Sequence, residues 1–99
     1  MNAPAYGWLV TADAINESGE SRVNYSGPRG LTDEQLARLQ AGEGAVWRTL
    51  DGDGNVYYSG RFLGDAGSED AFGPLDDFAG PDAGAVSIEY WTGKGWEEL

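Results

Sequence analysis

The chain has 99 residues, 40% of them apolar and 12% aromatic, which is enough for one domain with one modest core. It contains no Cys and no His, so disulfides, thiolate metal sites, Ser–His and Cys–His nucleophiles and the usual zinc sites are excluded. Seventeen Asp and Glu against six Lys and Arg give a net charge of −11, a field that repels nucleic acid and anionic membranes and attracts basic surfaces.

In chain order, Tyr6 to Ala14 reads as a strand, rich in aromatic and β-branched residues, with Trp8, Val10 and Ala12 on one face. Asn16 to Glu20 is a turn. Arg22 to Ser26 is a second, short strand with Val23 and Tyr25 on one face, stopped by Gly27-Pro28-Arg29-Gly30. A helix follows. Thr32 is the N-cap, Gln35 completes a capping box, Leu31 and Leu36 fit a hydrophobic staple, and Gly42 is the stop. Asp33 and Glu34 lie in its first turn, where the helix dipole favours negative charge. At about ten residues it is too short to stand alone and must pack on a sheet.

Ala45 to Leu50 and Val56 to Leu63 form a hairpin around Asp51-Gly52-Asp53-Gly54-Asn55. Two Asp-Gly pairs compete for the turn, so the pattern leaves open whether Trp47 or Arg48 faces the core. Asp65 to Gly84 reads as a long acidic loop, with one helical turn at Pro74 to Phe78. Phe72, Leu75 and Phe78, spaced three apart, pin it to the body. Val86 to Trp91 is a strand, returned through Thr92-Gly93-Lys94-Gly95 into Trp96 to Leu99. A type II′ turn at Gly93-Lys94 sets Trp91 opposite Trp96. The expected fold is a single α+β domain over residues 1–99: an antiparallel sheet of four to six strands, one short helix packed on one face, and the acidic loop.

No residue pattern announces a catalytic centre, and no cofactor is implied. With seventeen acids some carboxylate pair is always near another, and the adjacent pairs Asp76-Asp77 and Glu97-Glu98 point apart in regular structure. Asp51-x-Asp53-x-Asn55 imitates the start of a calcium loop, but Val56 and Phe62 stand where that loop needs Gly and Glu. The Gly27–Gly30 turn lacks a phosphate-cradle motif and leads into acidic residues. Direct nucleic-acid binding is not expected, because Arg22, Arg29, Arg38, Arg48, Arg61 and Lys94 are scattered. No apolar stretch is long enough to span a membrane. The absence of Cys fits the cytoplasm, and Met1 reads as the start of an unprocessed product.

The acids of the Asp65–Asp82 segment have no base among them and carry the functional expectation. Asp65, Glu69, Asp70, Asp76, Asp77 and Asp82 are the candidate contacts with a basic surface of another protein, and Phe72 and Phe78 the apolar anchors beside them. Mimicry of a nucleic-acid backbone requires the acids on one face. Asp13, Asp33, Glu34, Glu89 and Glu97 would have to join the segment there. Two alternatives are a self-associating structural or virion-associated module, built on edge strands and the Trp91/Trp96 surface, and a carboxylate-based hydrolase with two acids in one pocket.

The stretches YGWLVT (6–11), GPRGLTDEQL (27–36), DGDGNVYYSGRF (51–62), FGPLDDF (72–78), PDAGA (81–85) and YWTGKGWEEL (90–99) together resemble small acidic proteins of actinobacteria and their phages. That resemblance implies a phage accessory protein that binds a host protein, a class that includes inhibitors of DNA-binding defence enzymes. It assigns no role to any residue.

Overall fold

In the computed structural model, which describes residues 3–99, six strands form one antiparallel sheet: β1 (Gly7–Asp13), β2 (Ser26–Gly27), β3 (Ala45–Leu50), β4 (Val56–Leu63), β5 (Ser87–Trp91) and β6 (Trp96–Glu98). Their spatial order is β2-β1-β4-β3-β5-β6. Met1 lies outside the described residues. The fold is α+β, as the alternating strands and the single strong helix signal lead one to expect.

Helix α1 (Asp33–Gln40) begins at a capping box in which Thr32 Oγ1 accepts from Gln35 N and Gln35 Oε1 accepts from Thr32 N. It ends in a Schellman motif. Gly42, at φ 86°, donates to Leu39 O, and Glu43 N donates to Arg38 O. The helix packs against β1 and β4, where it buries Leu39.

Register settles the faces. Trp47 pairs with Gly60 and Tyr90, Thr49 with Tyr58 and Ile88, and Trp8 with Phe62. These residues therefore share one face, and Arg48, Glu89, Leu9 and Arg61 share the other. Trp47 is fully buried and donates its Nε1–H to Arg61 O at 2.9 Å. Its ring lies over Gly60, where an added Cβ would collide with it and with the Leu9 carbonyl. The hairpin turn is held by the Asp51 carboxylate, which accepts from Asp53 N, Asn55 N and Asn55 Nδ2. The calcium-like spelling is turn chemistry.

The β5–β6 connection sets Trp91 opposite Trp96, as expected. Thr92 N donates to Gly95 O, Gly93 has φ 91°, and Lys94 has negative φ, which excludes type I′. Trp91 and Trp96 pair edge to face at 5.5 Å.

Three expectations are corrected. The strand at Arg22–Ser26 shrinks to Ser26–Gly27, because Asn24 takes φ 78° and Asp13 captures the Arg22 amide. Val23 and Tyr25 are left exposed. A bulge between Val10 and Ala12 shifts the register of β1, so Ala12 leaves the face of Trp8 and Val10 and is exposed.

The largest correction is the acidic loop. Residues 69–83 form a helical strap: a 3-10 turn (Glu69–Phe72), a π turn (Pro74–Ala79) and an α turn, α2 (Gly80–Ala83). Ser68 caps its start by accepting from Asp70 N, and Gly84 closes it at φ 77°. Pro81 has no N–H to continue an α-helical ladder, and just before it Gly80 donates five residues back to Leu75 O. The strap covers the Trp47 face, so the main core lies between it and the sheet: Trp8, Val10, Trp47, Tyr58, Phe62, Ile88 and Tyr90 against Ala71, Phe78, Ala79 and Ala85.

Candidate functional site

The strap carries every residue singled out by its charge except Asp65, which lies just before it, so its attachment decides which acids remain outward. Apolar packing comes first. Phe78 is 7% exposed and stacks at 5.3 Å on Trp8 and 4.8 Å from Tyr58. It is a core residue, so the reading of Phe78 as a surface anchor is corrected. Phe72 and Leu75 are partly buried against the same cluster, which is the pinning role their spacing suggested.

Polar ties come second. Tyr90 Oη donates to Ala71 O at 2.8 Å inside the core, and burial pushes its phenol far up. Asp77 Oδ2 accepts from Tyr6 Oη at 2.8 Å and from Trp8 Nε1 at 3.1 Å. Asp82 Oδ2 accepts from Tyr58 Oη at 2.7 Å, and its carboxylate pairs with Arg22 Nε at 3.3 Å. Asp77 and Asp82 are therefore clasps that satisfy the polar tips of the buried Trp8 and Tyr58 and the partly buried Tyr6. Burial, then the hydrogen bond to Asp82, raises Tyr58 to about 12. Tyr6 rises to about 12 through burial, the Asp77 hydrogen bond, and the charges of Asp77, Asp70 and Asp76.

Of these acids Asp77 is the one hydrogen-bonded to Tyr6 Oη, and the charges of Asp70 and Asp76 add to its effect. Asp76 is exposed and Asp70 half-buried. Asp65 accepts from Gly67 N in a local turn, and Glu69 is exposed. Among the described residues the ion pairs are Arg22–Asp82, Arg38–Glu43 and Arg48–Glu89, so Asp65, Glu69, Asp70 and Asp76 have no cation beside them there.

Of the other acids, Glu97 lies on the strap face of the sheet, opposite Tyr90, and Glu89 does not. Glu89 pairs with Arg48 at 2.7 Å on the opposite face of the sheet. Asp33 and Glu34 lie in the first turn of α1. Asp13, the last residue of β1, opposite Tyr58, accepts from the amides of Ile15, Asn16 and Arg22 and from Asn16 Nδ2. Burial would raise its carboxyl, and these hydrogen bonds overcome that and hold it at about 2. The acids that a long mimic would need on one side are thus divided, with Glu89 on the face opposite the strap.

A cleft of about 230 Å³ opens at the β5–β6 corner, lined by Ala45, Ala66, Tyr90 and Leu99 among others. Glu97 and Glu98 also line it, but as neighbours on a strand they project from opposite faces and do not form a facing pair. No group of three or more acids among the described residues is arranged to hold a metal ion. No helix among them is long and apolar enough to cross a membrane.

Sequence reasoning singled out the acids of the Asp65–Asp82 segment but missed Tyr6, Trp8 and Tyr58 as the partners of Asp77 and Asp82. The available signal was the aromatics themselves: a half-buried Tyr or Trp brings a polar tip that needs a partner. Comparison with protein-family models, with curated proteins and with solved structures finds no match to the chain.

Proposed function

We propose that this is a non-enzymatic binding protein of the cytoplasm, whose strap, with Asp65 just before it, presents Asp65, Glu69, Asp70 and Asp76 to a basic surface of another protein. The partner class suggested by the resemblance to phage and actinobacterial proteins is a host nucleic-acid-binding protein, inhibited by occupation of its basic groove. The supporting observation is that Asp65, Glu69, Asp70 and Asp76, at and just before the strap, have no cation paired with them among the described residues. A fixed anionic ridge of this kind speeds encounter with a cationic surface and sets specificity. Its reach is local, and it suits a compact basic patch better than a long duplex track.

The test is paired affinity capture from an actinobacterial lysate. One bait is the native chain and the other carries Asp65→Asn, Glu69→Gln, Asp70→Asn and Asp76→Asn, which leave the Asp77 and Asp82 clasps intact. A partner retained by the native bait, lost by the neutralised one, and releasing duplex DNA as the native chain is added supports the reading. Equal capture by both baits, or capture of a protein that keeps its DNA, contradicts it.

A further inference from the structure

The outer side of β6 is an open sheet edge with its own charge pattern. Leu99 N donates to Ile88 O and Thr92 N to Gly95 O, so Gly95, Glu97 and Leu99 aim their backbone groups at β5. The N–H and C=O groups of Trp96 and Glu98 therefore point away from the sheet, and β6 is last in the strand order. Glu97 lies on the strap face, opposite Tyr90, and Glu98 on the other face, opposite Glu89. Both are exposed, and neither has a cation partner among the described residues.

A second copy is a poor occupant, because two β6 edges brought together would bring their Glu97 and Glu98 side chains together, and like charges across a strand pair are destabilising. The same carboxylates favour the opposite sign on an incoming strand. Beside Glu97 the 230 Å³ cleft, with Ala45, Ala66, Tyr90 and Leu99, offers room for one apolar side chain. Beside Glu98, Trp91 is 45% exposed and can cover the stem of a Lys or Arg, whereas Trp96 already carries the Arg48 guanidinium at 4.1 Å.

We propose that β6 accepts an extended basic segment of a partner protein as a seventh strand. Backbone pairing is to Trp96 and Glu98, two consecutive basic side chains meet Glu97 and Glu98, and an adjacent apolar residue enters the cleft. This is strand addition with charge as the selector, and it is independent of the Asp70–Asp76 ridge.

The probe is the blocked hexapeptide Thr-Val-Lys-Lys-Val-Thr, titrated into the full chain labelled with nitrogen-15. Saturable shifts and slowed hydrogen exchange at the Trp96 and Glu98 amides are expected. Both are lost with a Glu-Glu peptide and with one N-methylated on alternate residues. Glu97→Lys with Glu98→Lys weakens binding severalfold, and Asp70→Asn with Asp76→Asn leaves it unchanged. The proposal is overturned by no saturable shift, by equal binding of the N-methylated or Glu-Glu peptide, or by shifts confined to the strap. Concentration-dependent protection of β6 without peptide also overturns it, by making a second copy the occupant.

Discussion

Asp13 and Asp82 show how a side chain that looks like surplus charge becomes structure. Asp13 collects three backbone amides and the Asn16 side chain, and Asn16 in turn donates to Tyr58, whose hydroxyl donates to Asp82. Its folded carboxyl, at about 2, lies below the unfolded value of 3.8, so its contribution is present above pH 3.8 and fades as pH falls towards 2. Acid unfolding followed by circular dichroism will show this limb, and Asp13→Asn will flatten it. The tyrosine clasps act at the other end. Tyr6 and Tyr58 are raised from 10 to about 12, so the stability they contribute is complete below pH 10 and lost as pH climbs towards 12. Tyr58→Phe removes the hydroxyl between Asn16 and Asp82, and urea unfolding should report a loss of about 1.5–3 kcal/mol, the range for a hydrogen bond to a charged group.

At the scale of elements, the parts with local signals were legible and those depending on distant partners were not. Helix α1 announced itself through Thr32, Gln35 and Gly42, because caps and stops are written within a few residues. The Trp91–Trp96 pair followed from the two-residue turn between them. The face of Trp47 did not follow from the hairpin, since two Asp-Gly pairs allow different registers. What decides it is Gly60 across the ladder, the one β4 residue whose missing side chain leaves space for the indole. Gly60→Ala should therefore cost about 1–3 kcal/mol or more by overpacking, measured as a lower urea midpoint. Thr32→Ala, a cap change far from that core, should cost about 0.5–2 kcal/mol on the same measure. Of the strap only the helical turn at Pro74 to Phe78 was legible, because Gly73, Gly80 and Pro81 depress helix propensity around it. Its order comes from the sheet: Phe78 in the core, Tyr90 on Ala71, and the aromatic clasps on Asp77 and Asp82.

For the whole molecule, the net charge of −11 resolves into different duties. Asp13 and Asp51 organise turns, Asp77 and Asp82 hold the strap, and Glu43 and Glu89 are paired with Arg38 and Arg48. The strap acids Asp65, Glu69, Asp70 and Asp76, together with Glu97 and Glu98 on β6, lack such a partner among the described residues. Attraction between exposed charges is screened over about 8 Å at physiological ionic strength, so a ridge that recruits its partner by charge must do so in a salt-dependent way. The most direct measurement is the association rate of the captured partner with the native chain and with the four-acid neutralised chain, by stopped flow across ionic strength. A rate that falls steeply with salt for the native chain, and is slower and nearly flat for the neutralised one, is the predicted result. Equal rates with equal salt dependence would contradict the assignment of the ridge as the binding surface.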